Sequence, residues 1–224
     1  MTLRFEVRRS AYPLSWPRLH RAGVWARRLQ RVSGLALAAF AVWHVFQVVG
    51  AAHDRTRLAA MISTLYHPAF IGLVFAALGF HTLNGLRTIF LDLGLMSGRR
   101  QAGAILFAAP GDGPVGGRGR GLEVAVMGEA AWWVLQRATG VLLVLPVGIH
   151  LFAQATGAVD LTVRFVSDLA LLVLVVLHSL PGLRTVVHDY VPDGRLRVLA
   201  ERLLLLGGAA LIGYGAWGLW KFFT

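Results

Sequence analysis

The sequence predicts an all-α integral membrane protein with five transmembrane helices, the first four forming a tandem parallel two-helix repeat. Three observations carry this prediction. Of 224 residues, 56% are hydrophobic and only 15% are charged, with a mean hydropathy of +0.63. That is too little charge to cover a soluble domain. The apolar residues fall in long blocks, as bilayer-spanning helices require. Two stretches of the chain also recur later in the same order.

Residues 1–28 (MTLRFEVRRSAYPLSWPRLHRAGVWARR) are basic and lack an apolar run directly after their positive residues. They read as a segment lying on the membrane surface, not as a cleavable signal. The transmembrane domain follows over 29–224. Its apolar segments lie at about 29–51, 66–95, 127–155, 162–190 and 200–222, each long enough for about 30 Å of hydrocarbon. Repeat 1 covers about 29–95 and repeat 2 about 127–190, and the helix at about 200–222 stands outside the repeat. The linker at about 97–126 contains GDGPVGGRGRG, a flexible composition.

The net charge of +11 would also suit a nucleic-acid binder, but no soluble domain offers a binding face, so none is expected. Membrane topology explains the charge better. Eight Arg precede residue 32, and ten more (87, 99, 100, 118, 120, 137, 184, 195, 197, 202) fall on the same side. The other side holds Arg55, Arg57, Arg164 and Lys221. The bias places the N-terminus in the cytoplasm and the C-terminus outside a multi-pass protein of the cell membrane. Trp132, Trp133, Trp217 and Trp220 lie near helix ends, as interfacial anchors do. There is no cysteine, which excludes disulfides, thiolate metal sites and covalently attached c-type haem.

The repeat is the most informative feature. LQRVSGLALAAFAVWH (29–44) returns as LQRATGVLLVLPVGIH (135–150), an offset of 106 residues. HTLNGLRTIFLDLG (81–94) returns as HSLPGLRTVVHDYV (178–191), an offset of 97. A two-helix unit ends on the side where it began. The copies therefore share one orientation, about an axis along the membrane normal.

Each repeat carries two mid-helix histidines: His44 and His81 in the first, His150 and His178 in the second. A histidine in a membrane helix is costly and needs a partner. A single one is readily satisfied by packing; four matched ones call for a common purpose. His44 and His150 each lie 13 residues beyond an Arg (Arg31, Arg137), roughly 20 Å along the helix. His81 and His178 each lie six residues before an Arg (Arg87, Arg184), roughly 9 Å. The histidines thus form two tiers, and the repeat axis turns the members of each tier to face one another. Paired imidazoles suit the axial positions of b-type haem iron. The reading is two haem b groups, an outer one held by His44 and His150 and an inner one by His81 and His178, with electron transfer as their role.

Gly85, Thr88 and Asp92 fall within about 40° of His81 on the helical wheel, and Gly182, Thr185 and Asp189 repeat this around His178. The glycines either leave room for a macrocycle or permit close helix packing. Ser33 and Thr139 share the faces of His44 and His150; their hydroxyls either reach a propionate or quinone or bond back to their own helix. Arg31 and Arg137 suit inner-haem propionates or lipid headgroups. His20, His53, His67 and His188 have no repeat mate and are read as non-ligands. The outer half offers Asp54 and Asp160 as its acids, both in loops.

The pattern Gln30-Arg31-x-Ser33-Gly34 with His81-x3-Gly85-Leu86-Arg87-x4-Asp92-x-Gly94 resembles one membrane-anchor subunit of succinate dehydrogenase. His178-x3-Gly182 followed by Asp189-Tyr190 resembles the other. One chain with both halves resembles the di-haem cytochrome b subunit of succinate:quinone oxidoreductases, which include fumarate reductases. The resemblance covers helices one to four. It implies a flavoprotein subunit and an iron–sulfur subunit on the cytoplasmic side, with quinone as substrate, and leaves room for oligomers of the complex. It also implies a quinone site of Arg31, Asp189 and Tyr190, with Tyr190 donating to a quinone carbonyl. Where the family has a nearby Ser, this chain has Arg27. The competing readings are a di-haem anchor of the nitrate reductase or formate dehydrogenase type, or a transporter using the histidines as a proton relay. The former place their ligands without this two-copy pattern.

Overall fold

The protein is described here by a computed structural model covering residues 16–52, 54–65, 67–92 and 128–223. The linker expected at about 97–126, the first 15 residues and His53 lie outside the described residues. Seven helices make up what is described: α1 (Trp16–Ala51), α2 (Arg55–Leu65), α3 (Pro68–Asp92), α4 (Glu129–Leu142), α5 (Val144–Thr156), α6 (Leu161–Tyr190) and α7 (Gly194–Phe223). They provide five spans long and apolar enough to cross a membrane: Trp25–Ala51, Pro68–Phe90, Ala131–Thr156, Leu161–Tyr190 and Gly194–Phe223. No strand occurs among the described residues.

The elements depart from expectation in four places, each for a local reason. First, α1 runs without a break from the basic segment into the membrane span. Its Pro17 lies in the first turn, where a missing N–H costs little. Second, the loop expected between the first two spans contains α2. Asp54 Oδ1 accepts from the Thr56 N–H at 2.8 Å and starts that helix, and Pro68 then opens α3. Third, the third span is divided at Leu143, because Pro146 supplies no N–H for the Leu142 carbonyl.

Gly157, at φ +66°, closes α5 in the left-handed region. Asp160 then caps α6, accepting from the N–H groups of Thr162 (2.8 Å) and Val163 (3.3 Å). These hydrogen bonds, from Val163 first and then Thr162, hold the Asp160 carboxyl below its ordinary range. Asp193 starts α7 in the same way, bonded by Arg195 and Leu196, so this helix begins earlier than residue 200.

Helix α6 is the centre of the bundle, packing on α4, α5, α7 and α1, while α1 also packs on α3 and α7. Glycines let α7 approach closely. A Cβ on Gly218 would stand 2.2 Å from Val49 Cγ2, and one on Gly215 would stand 2.8 Å from Leu172 Cδ2. The outward side chains are apolar: Leu73, Leu83 and Leu145 are each 69–70% exposed, as lipid-facing residues are.

Candidate functional site

The bundle brings the four mid-helix histidines together as two facing pairs. His81 (α3) and His178 (α6) have ring centres 6.2 Å apart and planes at 90°. His44 (α1) and His150 (α5) have ring centres 6.3 Å apart and planes at 86°. A metal–imidazole bond of about 2.0 Å, plus about 1.15 Å from nitrogen to ring centre, separates two trans imidazoles by about 6.3 Å. Among the described residues no group of three or more His, Cys, Asp or Glu is gathered as a bare metal ion would need. The spacing of both pairs matches that of two imidazoles sharing one metal between them.

The near pair, His81 and His178, lies towards the Arg-rich ends of the helices, and the LQR-x-[ST]-G motif orients it. His178 Nδ1 donates to the Gln136 carbonyl at 3.0 Å, which leaves Nε2 for a metal. Ser33 Oγ lies 3.2 Å from His81 Nδ1, and Thr139 Oγ1 lies 3.4 Å from His178 Nδ1. Both hydroxyls also bond back to their own helices, Ser33 to Gln30 O and Thr139 to Leu135 O. The buried hydroxyls therefore serve the near histidines as well as their own backbone.

The sequence places Gln30 and Gln136 in the repeated motif but assigns them no role. Gln30 Nε2 donates to His81 O at 3.1 Å, and its Oε1 accepts from Asn84 Nδ2 at 2.9 Å. Gly85 and Gly182 face these two glutamine side chains: a Cβ there would meet Gln30 Nε2 at 3.5 Å and Gln136 Nε2 at 3.4 Å. The motif glycines lie directly against the histidine rings. A Cβ on Gly34 would lie 2.9 Å from His81 Cε1, and one on Gly140 would lie 3.0 Å from His178 Cε1. The recurrence of these residues in both motif copies was the available signal.

The far pair, His44 and His150, is built differently. His150 Nδ1 bonds Asp168 Oδ1 at 2.8 Å, and the Asp168 side chain is only 11% exposed. Arg164 Nε stands 4.0 Å from Asp168 Oδ2. His44 Nδ1 is buried with no hydrogen-bond partner among the described residues, and Phe40 stacks on the ring at 5.5 Å. Asp168 corrects the reading that this half offers acids only in its loops. It was overlooked because it has no repeat mate: the position 97 residues earlier is Ile71. An ionisable residue inside an apolar helix was the signal that could have found it.

At the Arg-rich end, Arg31 Nη2 pairs with Asp189 Oδ2 at 2.7 Å, joining α1 to α6. Tyr190 is 72% exposed, and Arg27 is exposed one turn before Arg31. Arg137 lies over the Trp133 ring at 4.0 Å. Thr88 and Thr185 each bond back to the carbonyl four residues earlier. His188, read as a non-ligand, bonds Glu201 on α7, which also holds Arg184 at 3.3 Å.

The fold defines a helical, multi-span membrane protein with two facing histidine pairs between its helices. Residues 9–109 match the succinate dehydrogenase/fumarate reductase transmembrane subunit family. The chain is also similar to the succinate dehydrogenase hydrophobic membrane anchor subunit of Archaeoglobus fulgidus. The two are 31% identical over 80 residues, covering 34% of this chain and 67% of that relative. The chain belongs to the succinate dehydrogenase/fumarate reductase family of membrane-anchor subunits.

Proposed function

We propose that this chain is the di-haem cytochrome b subunit of a succinate:quinone oxidoreductase, passing electrons between an iron–sulfur subunit and the quinone pool. The observation that carries this reading is the pair of facing histidines at each of two levels, with ring centres 6.2 and 6.3 Å apart. A haem b held there would supply one-electron transfer. His81 and His178 would hold the inner group and His44 and His150 the outer one. Ser33, Thr139 and Gln136 fix the ring orientation of His81 and His178. The haem surroundings also include Gly85, Thr88, Gly182 and Thr185 on the ligand helices.

The flavoprotein and iron–sulfur subunits sit at the Arg-rich, cytoplasmic face. The chain has almost no soluble mass in which to house a dicarboxylate site, so these partners carry it. Quinone binds at the same face beside Arg31, Asp189 and Tyr190. Tyr190 donates a hydrogen bond to a quinone carbonyl, Arg31 supports the developing negative charge, and Asp189 holds Arg31 in place through their 2.7 Å contact. A second seat is favoured by one feature, a cleft of about 500 Å³ at the opposite end lined by Val49, Asp54, Arg57, Tyr214 and Trp217. Arg31→Gln raises the KM for quinone if the first seat is used; Arg57→Gln does so if the second is.

The family placement weighs against a nitrate reductase or formate dehydrogenase anchor, and the facing geometry weighs against a proton-relay transporter. The test is the haem content of the purified complex. Two b-type haems per chain are expected, with His44→Ala and His81→Ala each losing a different one. A wild-type complex whose dithionite-reduced spectrum has no b-type band ends the reading.

A further inference from the structure

We propose that Asp168 is a positioning residue for the His150 ligand, and that its charge sets the reduction potential of the outer haem. The inference rests on the di-haem reading above. Three observations carry it. Asp168 Oδ1 accepts from His150 Nδ1 at 2.8 Å, from a side chain only 11% exposed inside an apolar span. The other three ligands have no charged partner at Nδ1 among the described residues: Ser33 Oγ faces His81, the Gln136 carbonyl faces His178, and His44 has none. The carboxylate also has no counterpart in the other half of the chain, where the sequence-matched position on α3 is Ile71.

A carboxylate that accepts from Nδ1–H does two things to a ligand imidazole. It fixes the tautomer with Nε2 free for metal, and it draws the Nδ1 proton towards itself, which makes Nε2 more electron-donating. A more electron-rich ligand and a nearby negative charge both favour the ferric over the ferrous state. Arg164, 4.0 Å from the second carboxylate oxygen, opposes this with its positive charge. The two side chains thus act on the outer haem with opposite sign.

The test is an optical redox titration of the purified complex, with haem counted chemically in each variant. His44→Ala identifies which titration step belongs to the outer haem. Asp168→Asn keeps the size and removes the charge. It is expected to retain both haems and to shift the outer haem's reduction equilibrium at least tenfold towards the reduced form, about 59 mV for one electron. The inner haem should not move. Arg164→Gln should shift the outer step the other way. If Asp168→Asn retains both haems and titrates like wild type, or if Arg164→Gln leaves the outer step in place, the proposal is overturned. If Asp168→Asn loses the outer haem, Asp168→Glu decides. Recovery of the haem with a near wild-type potential supports the proposal, and failure to recover it overturns it. A wild-type complex without b-type haem defeats the parent reading instead, a result distinct from unmoved potentials.

Discussion

The two histidine pairs have nearly the same spacing, 6.2 and 6.3 Å, yet their surroundings are built on different principles. The near pair is held by neutral groups of one recurring motif. Ser33 and Gln30 serve His81, Thr139 and Gln136 serve His178, and Gly34 and Gly140 press against the rings. The far pair is asymmetric, with a buried carboxylate on His150 and an aromatic stack on His44. The two pairs therefore share one gap between rings but not the groups around it. Even the near pair has diverged in one respect. Asn84 donates to Gln30 in one half, whereas its counterpart Pro181 has no such donor.

The comparison can be broken selectively. The largest effect is expected from Gly140→Val. Its Cβ would stand 3.0 Å from His178 Cε1, and the branched methyls would reach further into the ring. The near haem should be lost and the far one retained, which haem counting against the His81→Ala and His44→Ala complexes would establish. Loss of both haems, or of neither, would mean the two sites are not independently built.

Gly218→Leu acts at the other end. Its Cβ would meet Val49 Cγ2 at 2.2 Å, one helical turn beyond the Val45 contact of Gly215. Overpacking of this kind costs about 1–3 kcal/mol. The expected result is a lower unfolding temperature of the complex in detergent, with the far haem released before the near one on heating. Simultaneous release would remove the structural distinction between the two ends.

The smallest effect is expected at the turn that carries α5, with His150, into α6. The folded Asp160 carboxyl binds its proton less tightly than the unfolded one, because Val163 and Thr162 donate to it. Its contribution is therefore full above the ordinary carboxylate range and fades as pH falls through the depressed folded value. Asp160→Asn should narrow the difference in melting temperature between neutral and acid pH, while leaving the spectra of both haems unchanged at neutral pH.

Much of the architecture was legible in the chain. The five apolar blocks and the four matched histidines follow from periodicity and self-similarity, which one strand of letters displays. The pairing of His44 with His150 and of His81 with His178 followed from the depth of each residue below its Arg anchor. Features without a counterpart elsewhere in the chain were harder to read. Helix α2 was hidden in a polar connection because its start depends on the Asp54 cap. The break at Leu143 depends on which carbonyl Pro146 leaves unbonded.

Hydropathy and the internal repeat, read from the sequence alone, determined the class of the protein, the number of spans and the identity of the facing histidines. They could do so because the bilayer allows few ways to satisfy a backbone, and because a repeat confers symmetry. Tertiary structure alone decided what each imidazole leans on: Gln136 carbonyl, Ser33 hydroxyl or Asp168 carboxylate. Those partners come from other helices, and their distances depend on how α1, α3 and α6 pack, which no spacing within a single helix encodes.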